Sequence, residues 1–491
     1  MFGDLGASDA TDLAQRVAKR DVSADELLDA ALRAVEAHNP ALNAVVLVQE
    51  DAARSAIRAG LPQGPFRGVP FLLKDLGCEA VDFPSHNGSR LFANTRYSRN
   101  SAIFERIRAT GVVTFGRTTA PEGGIGPATE SAVYGGPTRN PWNLDHTSGG
   151  SSGGAGAAVA AGIVAMAHGS DGGGSVRIPA SSCGLFGFKP TRARLPDGPF
   201  AGEGWAGMAI DGFLTRSVRD TAVMLDACEG ADLGAPYHAP PLLQGHAQAI
   251  SRPPRRLRVA VCDTTVTGEA IDPEVRDAVL QTAKVLESLG HHVSPARPSA
   301  DVPMMMRAWT DIVAVGTALS IEKALHGHAP TPDQIEGVGR GAMAHAATLS
   351  PTRYLDAVGE IHAFGRQMAA FFEPETGAGY DILLTATLAE PPAKIGRFAH
   401  TTEDYLNYRI GPDGVFAYSP FCAIFNASGQ PAASLPLGMS QTGLPIGIHL
   451  AAAFGQDETL ISLCAEIEHA TPWAHRRSRL YPLETLKRLA V

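Results

Sequence analysis

Glycine and serine crowd into one part of this chain, and that crowding forces two shaped turns around a core segment. The first turn reads Ser148-Gly149-Gly150-Ser151-Ser152-Gly153-Gly154. The second reads Gly169-Ser170-Asp171-Gly172-Gly173-Gly174-Ser175-Val176-Arg177-Ile178-Pro179-Ala180. Glycine reaches backbone conformations closed to other residues, so such runs mark places where main-chain groups are brought to a point. Between the turns, Ala155 to Ala167 is rich in alanine and glycine. It falls short of the roughly 20 residues that cross a bilayer and is expected to form a tightly packed core helix. A flexible linker shares the GGSSGG composition, but not the small-residue segment and second turn that follow at once. Gly149, Ser151 and Gly153 also satisfy the nucleophile-elbow spacing. That turn needs an apolar strand before it, whereas Asn140–Thr147 is polar and reads as a loop. No Gly-Lys-Ser/Thr follows the glycines, which removes a phosphate-binding P-loop.

These residue types suit acyl transfer, which needs a nucleophile, a base for its proton and donors aimed at a developing oxyanion. The N–H groups of Gly172, Gly173 and Gly174, with that of Ser175, are expected to converge just before the Ser175 hydroxyl and form an oxyanion hole. A base is offered by Lys74, which ends the apolar run Gly68-Val69-Pro70-Phe71-Leu72-Leu73. To act near neutrality its pKa must fall by roughly 2–3 from a free value near 10.4, which burial can achieve. Asp171 and Arg177 flank the second turn and read as hydrogen-bonding and ion-pair struts for it.

The chain has 491 residues, 44% of them hydrophobic and 19% charged, as in a soluble globular protein. With a formal charge of −9 and no long basic run, it is not expected to bind nucleic acid. The short stretch Arg252–Arg258 reads as a solvated linker. Cys78, Cys183, Cys228, Cys262, Cys422 and Cys464 are scattered, without a CxxC pair, which fits a reducing compartment. The N-terminus lacks a basic and then apolar leader. A cytoplasmic protein without membrane attachment is therefore expected. The pairs His291/His292 and His326/His328 read as surface residues, because no Cys or carboxylate pattern completes a metal site. Met304–Met306 reads as core or pocket lining.

Periodicity predicts helix over residues 8–50, with Ser23 and Glu26 as a capping box. Val69–Leu73 and Val112–Phe115 read as strands, with a helix over Ser101–Thr110 closed by Gly111. Arg258–Cys262 and His292–Val293 read as strands around a helix opened by Asp272 and Pro273 and ended by Gly290. Residues 299–375 read as mostly helical, 382–388 and 432–450 as strand-like, and 231–257 as a crossover. Alternating strands and helices predict an α/β fold, a partly parallel sheet with helices on its faces.

The run from Gly149 to Thr191, ending Gly187-Phe188-Lys189-Pro190-Thr191, resembles the fingerprint of the amidase signature family. Flanking residues share the resemblance: Gly116-Arg117-Thr118, Pro121-Glu122, Asn140-Pro141-Trp142 and Thr215-Arg216-Ser217-Val218-Arg219-Asp220. Near the C-terminus, Asn426, Gly429, Pro431, Ala432, Pro436, Gly438, Gly443, Pro445 and Gly447 match its closing pattern. The likeness fades over about 230–415. The stretches PWNL, VRIPAS and FNASGQPA are most similar to the 6-aminohexanoate cyclic-dimer (nylon oligomer) hydrolase branch.

What the resemblance implies is a single large domain over 1–491, a mixed, twisted sheet covered by helices on both faces. Its catalytic core would span about 66–225 and 420–470, and about 230–415 would shape the substrate entrance. It implies that Lys74, Ser151 and Ser175 form a triad: Ser175 is acylated, and Ser151, after a cis peptide, relays its proton to Lys74. It also implies that Gly124, Ile125 and Gly126 line the acyl side of the pocket. The expected reaction is hydrolysis of a small-molecule amide without metal or organic cofactor, with a homodimer as an allowed assembly. A carbamate or ester hydrolase with the same triad remains open. So do an amidotransferase A-type subunit acting on charged tRNA in a complex, and a non-catalytic binding protein on the same scaffold.

Overall fold

The computed structural model describes residues 8–331, 333–375 and 377–480; residues 1–7, on which part of the N-terminal reading rests, lie outside them. The strands in chain order are β1 (Val45–Val48), β2 (Pro70–Lys74), β3 (Val113–Thr118), β4 (Arg139–Asn140), β5 (Asn143–Thr147), β6 (Met166–Asp171) and β7 (Phe186–Lys189). They continue as β8 (Ile210–Thr215), β9 (Arg258–Val261), β10 (His292–Pro295), β11 (Ile382–Ala386), β12 (Ala432–Met439) and β13 (Pro445–Ala452). Eleven of them form one sheet in the order β1-β3-β2-β6-β8-β7-β12-β13-β11-β9-β10, and β4 and β5 pair separately. The sheet is mixed. β2 runs parallel to β3 and β6, and β9 parallel to β10 and β11, while the remaining pairings are antiparallel.

Successive side chains of a strand point to opposite faces, and in strands such as β2 and β11 both faces are dry. In β2, Phe71 and Leu73 join a core with Val218, Leu225 and Leu460, whereas Leu72 packs with Leu28, Ala31 and Val159. In β11, Leu384 joins the first of these cores and Leu383 packs with Trp309, Ile312 and Phe364. Helices Val218–Cys228, Pro273–Ser288 and Asp457–Ala470 thus cover one face. Helices Gly153–Ala160, Val302–Leu325 and Pro351–Phe372 cover the other. Burying a Leu or Phe side chain contributes about 1.5–3 kcal/mol, so a strand as apolar as β2 is specified by being covered twice.

Several predicted elements form with their predicted caps. Ser23 and Glu26 exchange hydrogen bonds in a capping box at the start of Ala24–Leu42. Asp272 accepts from the N–H groups of Glu274 and Val275 to open Pro273–Ser288. Others differ. The helix expected through residue 50 is broken by Asn43, whose φ of 50° turns the chain into β1. The Asn39 side chain accepts from the N–H groups of Ala44 and Val45 there. The helix expected over 155–167 spans only Gly153–Ala160. Gly162, at φ 77°, ends it, and the chain becomes β6. A run of small apolar residues does not by itself distinguish buried helix from buried strand. Asn140–Thr147 is not a loop but most of the β4–β5 hairpin.

Residues 230–415 carry β9, β10 and β11, so this region builds the sheet as well as covering it. The Arg252–Arg258 stretch is more than a linker: Arg255 pairs with Asp381, Arg256 pairs with Glu466, and Arg258 begins β9. His291 is buried rather than at the surface. Its Nδ1 accepts from the Leu257 N–H, and Nε2 lies 3.0 Å from Glu466. His292, His326 and His328 are exposed as expected. Met305 is fully buried, and Met304 and Met306 pack beside the Trp309 core.

Candidate active site

Lys74 ends β2 with no exposed surface. β6 runs parallel beside β2, in the register Leu72 with Ala167, which brings His168 and Ser170 alongside the end of β2. Lys74 Nζ donates to Ser151 Oγ at 2.7 Å and to Ser170 Oγ at 2.9 Å, and its backbone N–H donates to His168 Nδ1. His168 Nδ1 is thereby an acceptor, leaving Nε2–H to donate to Asp211 Oδ1 at 3.0 Å. Burial pushes the Lys74 ammonium down to about 7, and the carboxylates of Asp211 and Asp171 offset only part of that effect.

The two glycine–serine turns are stitched into one unit. Ser152 N–H donates to the Ser175 carbonyl (3.2 Å), and Ser170 N–H donates to Ser152 Oγ (3.3 Å). Thr129 Oγ1 donates to the Gly149 carbonyl and accepts from the Gly153 N–H. The Gly150–Ser151 peptide is cis. The small residues of Gly153–Ala160 have a steric reason: a Cβ at Gly154 would lie 2.4 Å from the Thr119 nitrogen, and one at Gly156 3.1 Å from Pro179 Cβ. A larger side chain would push the helix, and Ser151 at its head, away from the sheet.

Asp171 and Arg177 brace the second turn. Their side chains are wholly buried and joined by two hydrogen bonds, Nη2 to Oδ1 at 2.8 Å and Nε to Oδ2 at 3.0 Å. Asp171 also accepts from the N–H groups of Gly174 and Val176, and Asn426 donates to its side chain. Burial would raise the Asp171 pKa, but the Arg177 guanidinium and these donors outweigh it and hold the carboxyl well below the usual carboxylate range. Arg177 Nη1 lies 3.0 Å from Nε2 of His449, whose imidazole burial keeps neutral and therefore able to accept. Breaking a buried pair on one side leaves an uncompensated charge. Arg177→Ala is expected to lower the unfolding free energy by roughly 3–5 kcal/mol, read by denaturant titration. A loss below about 1 kcal/mol would show that the pair does not hold the turn.

Gly174 leaves the expected oxyanion set, because its N–H is spent on Asp171 Oδ1 at 2.8 Å. The N–H groups of Gly172, Gly173 and Ser175 have no hydrogen-bond partner among the described residues. Ser175 is half-buried, and its Oγ likewise has no partner among them, so no hydrogen bond closes the Ser175–Ser151 step here. Both serines line a cavity of about 290 Å³ with Ser170 and Gly172. Gly124 and Ile125 line it too; a Cβ at Gly124 would stand 3.4 Å from Ser151 Oγ. Gly126 does not line it and packs instead toward His400 and Tyr408. The far wall comes from Phe200 and Trp205 and from Gly316, Thr317 and Ser320 of helix Val302–Leu325.

Ser170, His168, Asp211, Trp205 and the Val302–Leu325 helix were not singled out in the sequence. Ser170 and His168 lie on β6 and are brought to Lys74 by its pairing with β2. The others are brought in by long-range packing. All six cysteines are buried and none is in a disulfide. Among the described residues, no three of His, Cys, Asp or Glu gather in an arrangement that could hold a metal ion, and no helix is long and apolar enough to cross a membrane.

The Amidase family model matches residues 26–461. A 6-aminohexanoate-cyclic-dimer hydrolase of Paenarthrobacter ureafaciens is 38% identical over 96% of each chain. An acylamidase of Rhodococcus erythropolis is 33% identical over 95% of this chain and 96% of its own. Among solved structures, a 6-aminohexanoate cyclic dimer hydrolase complexed with substrate superposes with a TM-score of 0.90 at 36% identity, covering 97% of this chain and 99% of that one. With relatives this similar over nearly their full length, the chain belongs to the amidase signature family and is a hydrolase of carbon–nitrogen bonds.

Proposed function

We propose that this enzyme hydrolyses carboxylic amides through an acyl-enzyme on Ser175, with Ser151 and Lys74 as its proton route. The observation that carries the reading is Lys74, buried, pushed down to about 7 and 2.7 Å from Ser151 Oγ at the edge of the cavity that Ser175 lines. A neutral amine at that place accepts the Ser151 proton as Ser151 takes the one leaving Ser175. Ser175 Oγ then bonds to the carbonyl carbon, and the negative charge that forms on the carbonyl oxygen falls to backbone N–H groups of the Gly172–Ser175 turn. Collapse breaks the carbon–nitrogen bond. The departing nitrogen takes its proton back from Lys74 through Ser151, and water releases the acyl group by the same route in reverse order.

The cavity wall is largely apolar, with Leu76, Ile125, Phe200 and Ile321 among its residues, which supports an amide with aliphatic or aryl substituents. The relative from Paenarthrobacter ureafaciens is named for a cyclic aliphatic amide, and we place the natural substrate in that chemical neighbourhood. Six buried cysteines, none in a disulfide, support a cytoplasmic setting. The purified chain is expected to turn over simple aliphatic or aryl amides by itself, measured as amine release across a panel of amides, carbamates and esters. Turnover confined to carbamates or esters would reassign the substrate, and no turnover of any amide by the isolated chain would overturn the reading.

A further inference from the structure

Trp309 lies in helix Val302–Leu325, far in sequence from the glycine turns, yet it reaches the back of the second one. It is 3% exposed, and its Nε1–H donates to the Gly172 carbonyl at 3.1 Å. Its ring presses on the same turn: a Cβ at Gly173 would stand 2.9 Å from Trp309 Cζ2. The Trp205 ring does the same at Gly172, where a Cβ would stand 2.5 Å away. Trp309 is itself held in place. Trp205 and Phe416 meet its ring edge-on, with centroids 5.8 and 5.2 Å away, and the Arg409 guanidinium lies 5.2 Å from its centre.

The carbonyl of Gly172 and the N–H of Gly173 belong to one peptide unit. In a trans peptide these two groups point in opposite directions. A hydrogen bond that fixes the carbonyl therefore fixes the N–H on the far side. The preceding peptide is treated the same way, because Asn426 Nδ2 donates to the Asp171 carbonyl at 2.9 Å and so sets the direction of the Gly172 N–H. Gly172 and Gly173 are the donors that remain beside Ser175 once Gly174 is engaged by Asp171.

We infer that Trp309 is a positioning residue for the acyl transfer proposed above: by holding the Gly172 carbonyl from behind, it aims the Gly173 N–H at the oxyanion of the tetrahedral intermediate. The inference rests on that reading of Ser175. It also gives the Gly172 and Gly173 positions a second reason to be glycine, since each faces an indole ring at a distance no Cβ tolerates.

The test removes the indole N–H and keeps the ring. Trp309→Phe does so with a smaller ring, and replacement of Trp309 by 3-benzothienylalanine, with sulfur in place of N–H, does so at nearly constant shape. Loss of one oxyanion donor costs about 10²- to 10³-fold in kcat. Loosening its aim is expected to lower kcat about 10- to 100-fold while KM stays within about threefold. A trifluoromethyl ketone analogue of the best amide substrate, which forms an oxyanion on the serine, should lose affinity by the same factor as kcat/KM. The matching secondary alcohol, which forms none, should bind as before. The benzothienyl variant keeps the packing, so poor folding of the phenylalanine variant does not leave the question open. Unchanged kcat in that variant, or an equal loss of affinity for ketone and alcohol, would overturn the inference. Ser175→Ala is assayed in parallel: full turnover there defeats the reading of the site itself. An inactive Ser175→Ala beside a fully active benzothienyl variant defeats the positioning role alone.

Discussion

Ser175→Ala is expected to reduce amide turnover on the order of 10⁶-fold and to abolish covalent labelling of the protein. The expectation follows from a contrast between the two serines of the site. Ser151 is 2% exposed, and its hydroxyl is committed to Lys74 at 2.7 Å. Ser175 is half-buried, lines the cavity and leaves its Oγ without a partner among the described residues. It also stands at the end of Gly172 and Gly173, whose N–H groups are unspent. A nucleophile needs access to the carbonyl carbon and donors beside the oxygen, and only Ser175 has both. Intact-protein mass spectrometry after a fluorophosphonate, or during turnover of a slow substrate, should show a single adduct that disappears in Ser175→Ala. Ser151→Ala should still be labelled, more slowly, because the attacking oxygen is present and its proton route is not. An adduct that survives Ser175→Ala would transfer the nucleophile's role, with Ser151 the first position to examine.

The sequence marks the side chains of the proposed site more clearly than the directions of its backbone groups. The three side chains of the proposed proton route are legible because each sits at a local signal: a lysine ending an apolar strand, and two serines inside glycine runs. Asp171 and Arg177 were legible as struts because opposite charges flanked a turn that needed holding. What failed was orientation. Three glycines beside Ser175 announce a freely shaped backbone, but conformational freedom does not say where an N–H points, and Asp171 captures that of Gly174. Ser170 carries no signal of its own while the small-residue run reads as helix through residue 167. With Met166–Asp171 a strand paired to β2, His168 and Ser170 come beside Lys74, where the ring accepts from its backbone N–H and the hydroxyl from its Nζ. Trp309 had no local signal at all. Its bond to Gly172 spans 137 positions, and its helix belongs to the region where the resemblance faded. For the same reason β9, β10 and β11 read as strands in the sequence while the region holding them reads as an addition to the core.

The pH dependence of kcat/KM should show an acid limb with its midpoint near 7, carried by Lys74. The sign follows from the role. A lysine that accepts a proton must be neutral in the free enzyme, so activity is present above its pKa and falls about tenfold per pH unit below it. Burial is the dominant cause of the lowered value, with Asp211 and Asp171 opposing. Other groups titrate in the same range and must be separated from it. Burial also pushes Lys189 down to about 7, and burial together with neighbouring carboxylates raises Asp197 and Glu468 to about 7. Lys189→Met, Asp197→Asn and Glu468→Gln should each keep the limb where it is, whereas Lys74→Ala should lose activity by orders of magnitude. Lys74→Arg should not restore it, since a guanidinium stays protonated at every working pH. Stability offers a check independent of turnover. The unfolded chain holds the Lys74 proton up to about 10.5 and the folded chain releases it at about 7, so this group destabilises the fold below 7, and the penalty shrinks as pH rises toward 10.5. Relative to Lys74→Met, the wild type should therefore gain stability across that window. A flat difference would mean that the buried lysine is charged throughout, and a Lys74→Arg enzyme with near-full activity would make it an electrostatic support rather than the base.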